Sequence, residues 1–371
     1  MPCDYHSLPH AGIRSLNPYI PGKSADQVAK EHGLTEIIKL ASNENPFGCS
    51  PLVTDALTTI TGKQIATYPI AATHPLRSKL AHHLAIEPDM ITLGNGSDAL
   101  ISLLQTCFAL HCNKHVLTHN YAFISYGIHA ATLGIPVVTT PLLPDWQVDI
   151  DAMIASCNKK TALIFLASPN NPTGLLVKQA EIKHLLQNIP ESTLLVVDEA
   201  YYEYVSDGET LNTIALLASH PNLIITRTFS KAYGLAGLRL GYAIASPSIT
   251  TLLHRVLPPF TVNEIALVAA HAALDDPDFI TESVNNNVQG LKQLQLGLTQ
   301  LNLSYLPTAG NFITFDLKTD ALPIYLSLQQ HGIIVRPLHP YGLNNHIRVT
   351  IGTQQQNSRF INTLKELHHE K

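Results

Sequence analysis

This sequence is short of charge. Only 14% of its 371 residues are Asp, Glu, Lys or Arg, against about a quarter in soluble domains generally. Its 23 basic and 28 acidic side chains leave a net charge of −5. No strong positive field exists to hold a polyanion, so nucleic acid is not an expected partner. Long apolar runs are missing too. ITTLLHRVLPPF (249–260) is broken by His254, Arg255 and two prolines, and TLLVVDEAYYEYV (193–205) carries three carboxylates. Neither reaches the roughly 20 uninterrupted residues of a membrane-spanning helix. The first residues, MPCDYHSLPHAGIRSLNP, contain no apolar h-region, so no secretory signal is expected. The five cysteines (3, 49, 107, 112 and 157) are odd in number and scattered. That predicts free thiols in a reducing, cytoplasmic setting.

What is present is apolar: 45% of the residues are hydrophobic, ample for a sizeable core. The length fits about two domains. Residues 1–48 are turn-rich and read as an N-terminal arm and part of a small domain. Over 49–265, short runs rich in Val, Ile, Leu and Thr alternate with helix-length segments. HVLTH (115–119), IPVVTTP (135–141), TALIFLA (161–167), TLLVVDE (193–199) and NLIITRT (222–228) read as buried strands. Such alternation predicts an α/β fold with a mostly parallel sheet covered by helices. SDALISLLQTCFAL (97–110) reads as a helix with a Ser/Asp cap. Residues 266–371 change character: a long helical stretch (264–303), then NFITFDL, a helix near 321–331, GIIVRPL and HIRVTIG. They read as a smaller α+β domain.

Two patterns mislead. PGKS (21–24) resembles the end of a P-loop, but position 17 is Asn and no strand precedes it. Cys107, His111, Cys112 and His115 crowd together, yet no second ligand pair has zinc spacing. No metal site is expected.

Four segments carry chemistry, each beside an expected strand or helix end, where open parallel sheets gather ligands. SPNNPTG (168–174) turns directly after a strand and offers the Asn171 amide. VVDEAY (196–201) ends a buried strand in Asp198, a carboxylate that calls for a cationic partner there. TFSKAYGLAGLRLGY (228–242) sets Lys231 after two hydroxyls and before three glycines and Arg239. A desolvated lysine becomes a usable amine nucleophile, and the hydroxyls with the arginine suit a phosphate. GNGSDAL (94–100) opens a helix whose free N–H groups favour an anion. An amine for an aldehyde, a carboxylate for a pyridinium nitrogen, an amide and a phenol for a ring hydroxyl, and a phosphate cradle together describe pyridoxal phosphate.

With these residues in view the chain resembles the fold-type I pyridoxal-phosphate enzymes of class II, and among them the histidinol-phosphate aminotransferase family. The resemblance runs through SLNPYIPG (15–22), LASNENPFG (40–48), TYP (67–69), GNGSDAL, YAFISY (121–126), SPNNPTG, VVDEAY, RTFSKAYGLAGLRLGY (227–242), GIIVRP (332–337) and HIRVTIG (346–352). It implies a large pyridoxal-phosphate domain, a smaller α+β domain and a homodimer. Lys231 is then the amine that joins the cofactor and moves protons. Asp198 holds the ring nitrogen protonated, and Asn171 and Tyr201 meet the ring oxygen. Gly96, Ser97, Thr228, Ser230 and Arg239 bind the phosphate, with Tyr68 reaching it from the neighbouring subunit. Arg348 clamps the substrate carboxylate. Tyr19, Asn43 and Arg336 line the substrate side. Gapless alignment selects Phe123 as the residue stacked on the ring, and a one-residue shift selects Tyr121. The implied reaction is transamination of L-histidinol phosphate with 2-oxoglutarate. Its rivals are an aromatic amino-acid aminotransferase, a threonine-phosphate decarboxylase and, without a spare DNA-binding domain to support it, a ligand-sensing regulator.

Overall fold

The apolar runs form strands because each is short, rich in branched side chains and bounded by turns. The computed structural model describes residues 3–18, 23–71, 73–205 and 211–369. Its first eight strands are β1 (Ile38–Lys39), β2 (Ile91–Gly94), β3 (His115–His119), β4 (Val137–Thr140), β5 (Thr161–Ala167), β6 (Leu194–Asp198), β7 (Leu223–Thr228) and β8 (Gly241–Ala245). Seven of them form one sheet in the order β2-β8-β7-β6-β5-β3-β4. Only β8 runs against its neighbours, β2 and β7; the other pairs are parallel.

Alternation along the strands builds both faces of this sheet. Leu166, Val197 and Ile225 enter one core with Phe229, Leu240 and Leu267. Phe165, Val196 and Ile224 enter the opposite core with Leu100, Leu104 and Tyr126. At one margin the expectation of a buried strand fails. β4 ends the sheet, and Val137 and Val138 are both exposed. The helix opening at GNGSDAL spans Gly96–Phe108, and its cap is Asn95, which makes no side-chain capping bond. The Ser/Asp cap is therefore corrected: Ser97 and Asp98 lie inside the first turn.

The remaining strands are β9 (Ser304–Tyr305), β10 (Phe312–Asp316), β11 (Ile333–Ile334), β12 (Arg336–Leu338) and β13 (Leu343–Thr350). β12-β13-β10-β9 form an antiparallel sheet, and β1 pairs in parallel with β11. Ile38 and Leu40 thereby join a third core with Leu294, Leu298, Phe315, Ile347 and Phe360. The expected long helix is two helices, Glu264–Ala273 and Pro277–Gln300. Asp276 starts the second by accepting from the Phe279 N–H at 3.1 Å, with Pro277 at the first helical position. Ala266, Leu267 and Ala270 of the first helix pack in the large core. We therefore propose a domain boundary near this break rather than at residue 265. Among the described residues no helix is long and apolar enough to cross a membrane.

Candidate active site

β6 and β7 deliver the reactive groups at their carboxyl ends. Asp198 closes β6 and is buried, with only 4% of its surface exposed. Its Oδ2 accepts from the Tyr126 hydroxyl at 2.9 Å. Its Oδ1 is buried without a hydrogen-bond partner among the described residues. Burial raises this carboxyl to about 6, against the Tyr126 bond, which lowers it. Among the described residues no cationic side chain forms the expected ion pair with Asp198. The next residue, Glu199, points elsewhere and takes the buried ion pair, accepting from Nε and Nη2 of Arg227 at 2.8 Å each.

Lys231 follows β7. Its Nζ donates to the Ser42 carbonyl at 2.9 Å. Desolvation, with the nearby Arg348 charge next in weight, lowers its ammonium to about 7. The amine is therefore substantially neutral at physiological pH without a strong base beside it.

The anion cradle closes around Arg239. Thr228 Oγ1 accepts from the Ser230 N–H at 3.1 Å, and Ser230 Oγ accepts weakly from Arg239 Nη1 at 3.5 Å. Gly96 stands at φ +82°, and a Cβ there would lie 2.7 Å from Arg239 Nη2. That φ favours glycine, and a side chain there would push the guanidinium aside. Beside it, Ser97 sits in the first turn of the helix whose cap leaves the N-terminal N–H groups without a side-chain acceptor.

Asn171 and Tyr201 face the same cleft as Lys231 and Asp198. The Asn171 carbonyl oxygen accepts from Arg348 Nη1, so its amide NH₂ is the end left for a ligand. Arg348 Nη2 donates to the Ala41 carbonyl at 2.8 Å. The Tyr201 hydroxyl accepts from Asn43 Nδ2 at 2.8 Å, and Asn43 Oδ1 accepts from Thr350 Oγ1 at 3.3 Å. Asn43 therefore lines the cleft with both ends of its amide engaged, and it orients Tyr201. Phe123 lines the cleft. Tyr121 instead packs against Trp146, with ring centroids 5.4 Å apart. Arg336 and Arg348 face the outer half of the cleft. Tyr68 is 74% exposed and stacks on Phe260 at 4.5 Å, outside the cleft of its own chain. Tyr19 lies outside the described residues.

Sequence reasoning missed Tyr126, although YAFISY contains it, because a fully buried phenol looks like core. It also missed Ser42, whose contribution is a backbone carbonyl. His115 bonds to Thr161 Oγ1 at 2.9 Å. No metal-binding group occurs among the described residues, and the five cysteines are free.

These residues fit pyridoxal phosphate. The orphaned Asp198 Oδ1 calls for an N–H donor in the cleft, the Gly96–Arg239 approach leaves a cradle that a side chain would fill, and the lowered Lys231 amine suits an aldehyde. The comparisons agree. Residues 35–364 match the family described as aminotransferase class I and II. "Histidinol-phosphate aminotransferase 2" of Legionella pneumophila strain Lens is 56% identical over 368 residues, covering 99% of this chain and all of that one. "Histidinol-phosphate aminotransferase 1" of Nitrosococcus oceani is 41% identical, with 97% of each chain covered. The crystal structure of histidinol-phosphate aminotransferase from Sinorhizobium meliloti in complex with pyridoxal-5'-phosphate superposes with a TM-score of 0.88 at 30% identity, covering 98% of each chain. Fold, cleft and sequence agree on one assignment, and the chain belongs to the aminotransferase class I and II family.

Proposed function

We propose that the chain is a pyridoxal-phosphate-dependent aminotransferase of histidine biosynthesis. It moves the amino group of L-histidinol phosphate to 2-oxoglutarate, giving imidazole-acetol phosphate and glutamate. The observation that carries this reading is the outer half of the cleft. Lys39, Lys231, Arg336 and Arg348 line it, and among the described residues no carboxylate lines it directly, Glu44 standing behind Lys39. A protein of net charge −5 has gathered cations where doubly charged anions must enter. The relatives at 55–56% identity carry the matching name.

When bound, pyridoxal phosphate supplies an aldehyde for the amino group and a protonated ring that accepts electron density from the reacting carbon. The chain's own groups do the rest. Asp198 holds the proton on the ring nitrogen, and Tyr126 keeps that carboxylate ionised and aimed. Tyr201, oriented by Asn43, and the Asn171 amide donate to the ring oxygen. Gly96, Ser97, Thr228, Ser230 and Arg239 hold the phosphate, and Phe123 covers one ring face. Lys231 takes a proton from the substrate carbon and returns it, a role its value near 7 suits at neutral pH. Arg348, braced by Asn171 and Ala41, presents its guanidinium to the carboxylate of the oxo acid.

Tyr68 completes the proposal. Exposed with Ile65, Ile70 and Phe260, it reaches the phosphate of a second copy in a homodimer. Sedimentation of the loaded enzyme at twice the 40.5 kDa chain mass is the expected result; a fully active monomer is the contrary one. The reaction class is tested by product analysis. Glutamate should appear one for one with oxidised donor. Release of carbon dioxide from a phosphorylated amino acid, without need for 2-oxoglutarate, would indicate a decarboxylase instead.

A further inference from the structure

Of the four cations in the outer cleft, Lys231 and Arg348 have roles above and the resemblance sets Arg336 on the substrate side; Lys39 has none. Lys39 ends β1, lying opposite Ile334 of β11. Arg336, two residues beyond Ile334, opens β12. The fold therefore brings Lys39 and Arg336 to one wall of the cleft, and both line it. Lys39 Nζ donates to Glu44 Oε1 at 2.7 Å. The two side chains are 35% and 41% exposed. An ion pair so open to water adds little to stability, so holding the fold together does not account for it. Both charges act on Lys231, Glu44 raising its ammonium and Lys39 lowering it. The pair is thus close enough to sense what binds there.

We propose that Lys39 is a specificity-determining residue. Its ammonium leaves Glu44 for the phosphate of the donor substrate, which it grips together with Arg336. The proposal deepens the functional reading above and rests on it. A phosphate monoester carries a charge of about −1.5 to −2 near pH 7 and offers three acceptor oxygens, more than one cation satisfies. The single carboxylate of an aromatic amino acid needs only Arg348. A compact ammonium on a flexible stem can change partner at small cost, which a braced guanidinium cannot. Glu44 is then the competitor that the phosphate must displace.

Opposite signs test this. In the loaded enzyme Lys39→Gln should raise KM for histidinol phosphate about tenfold to a hundredfold, the worth of one charge-assisted hydrogen bond. The rise should exceed that for phenylalanine at least about tenfold, with kcat the lesser change. Lys39→Arg should restore most of the loss. Glu44→Gln should lower KM for histidinol phosphate by about threefold or more. Inorganic phosphate titrated calorimetrically into the loaded enzymes should bind more weakly to Lys39→Gln and more tightly to Glu44→Gln. The proposal is overturned if both substitutions shift KM the same way, since that marks a structural pair. It is also overturned if Lys39→Gln raises KM equally for both donors. A wild-type enzyme that uses phenylalanine and ignores histidinol phosphate overturns the functional reading and this proposal together. Wild-type turnover of histidinol phosphate with an unmoved Lys39→Gln overturns this proposal alone.

Discussion

Lys231→Ala is expected to reduce transamination at least about 10³-fold, because it removes both the attacking amine and the group that moves the proton. The same substitution should act on the cofactor-free protein in the opposite sense. The Lys231 ammonium sits at about 7 instead of its ordinary 10.5, chiefly through desolvation. Between those values the unfolded chain binds a proton that the folded protein does not. Wild-type stability therefore rises with pH across that window, and the full penalty is present below about pH 7. Alanine carries no such penalty. The cofactor-free variant should gain on wild type at pH 7, and the difference should shrink toward pH 10. Thermal unfolding at the two pH values checks this. A pH-independent difference would mean that the amine is not desolvated, and with it would go the reason it reacts at neutral pH.

Asp198→Asn is the second large effect. The amide keeps the shape but cannot hold a proton on the ring nitrogen, and it leaves the Tyr126 hydroxyl facing a group without charge. Loss of one preorganised electrostatic partner predicts a fall in kcat of about 10²–10³-fold. Cofactor affinity should fall as well, measured by titrating pyridoxal phosphate into the stripped protein. Here too stability runs against function. Burial raises the Asp198 carboxyl from 3.8 to about 6. The folded state therefore holds its proton more tightly, and stability falls as pH rises through that window. The cost is absent below about pH 4 and complete above about pH 6. Cofactor-free Asp198→Asn should be the more stable protein at pH 7 and should lose that advantage at pH 4. Unchanged kcat in a well-folded variant would remove Asp198 from the mechanism. The two residues that the chemistry most needs are thus two that the empty fold would be more stable without, as expected of sites selected for reactivity.

The sequence displays the parts of this site that are local. Lys231, Asp198 and Asn171 are legible because each directly follows an apolar strand, and strand ends are where parallel sheets place ligands. β5, β6 and β7 are legible because they are short, apolar and well separated. β2 and β8 are not: ITLG is only four residues long, GYAIA has a single β-branched residue, and both abut glycine-rich loops. β4 reads as buried from composition, yet edge position is a property of the assembled sheet. The contact of Asn171 with Arg348 joins residues 177 positions apart, beyond any local pattern. VVDEAY gives two adjacent carboxylates, and the motif alone does not show that Glu199 is the one that meets an arginine. Strand alternation decides it, sending Glu199 to Arg227 and leaving Asp198 to the cleft. Lys39 escapes notice because its neighbour on the wall, Arg336, arrives only through the pairing of β1 with β11.

On the function proposed, this cleft is built for a phosphorylated amino donor. The most direct test is the ratio of kcat/KM for L-histidinol phosphate to that for phenylalanine, with 2-oxoglutarate as the common acceptor at neutral pH. Burial of a doubly charged phosphate against Lys39 and Arg336 predicts a ratio of at least about 10², two charge-assisted contacts' worth. A ratio below one, with phenylalanine or tyrosine the better donor, would contradict it and make the chain an aromatic amino-acid aminotransferase.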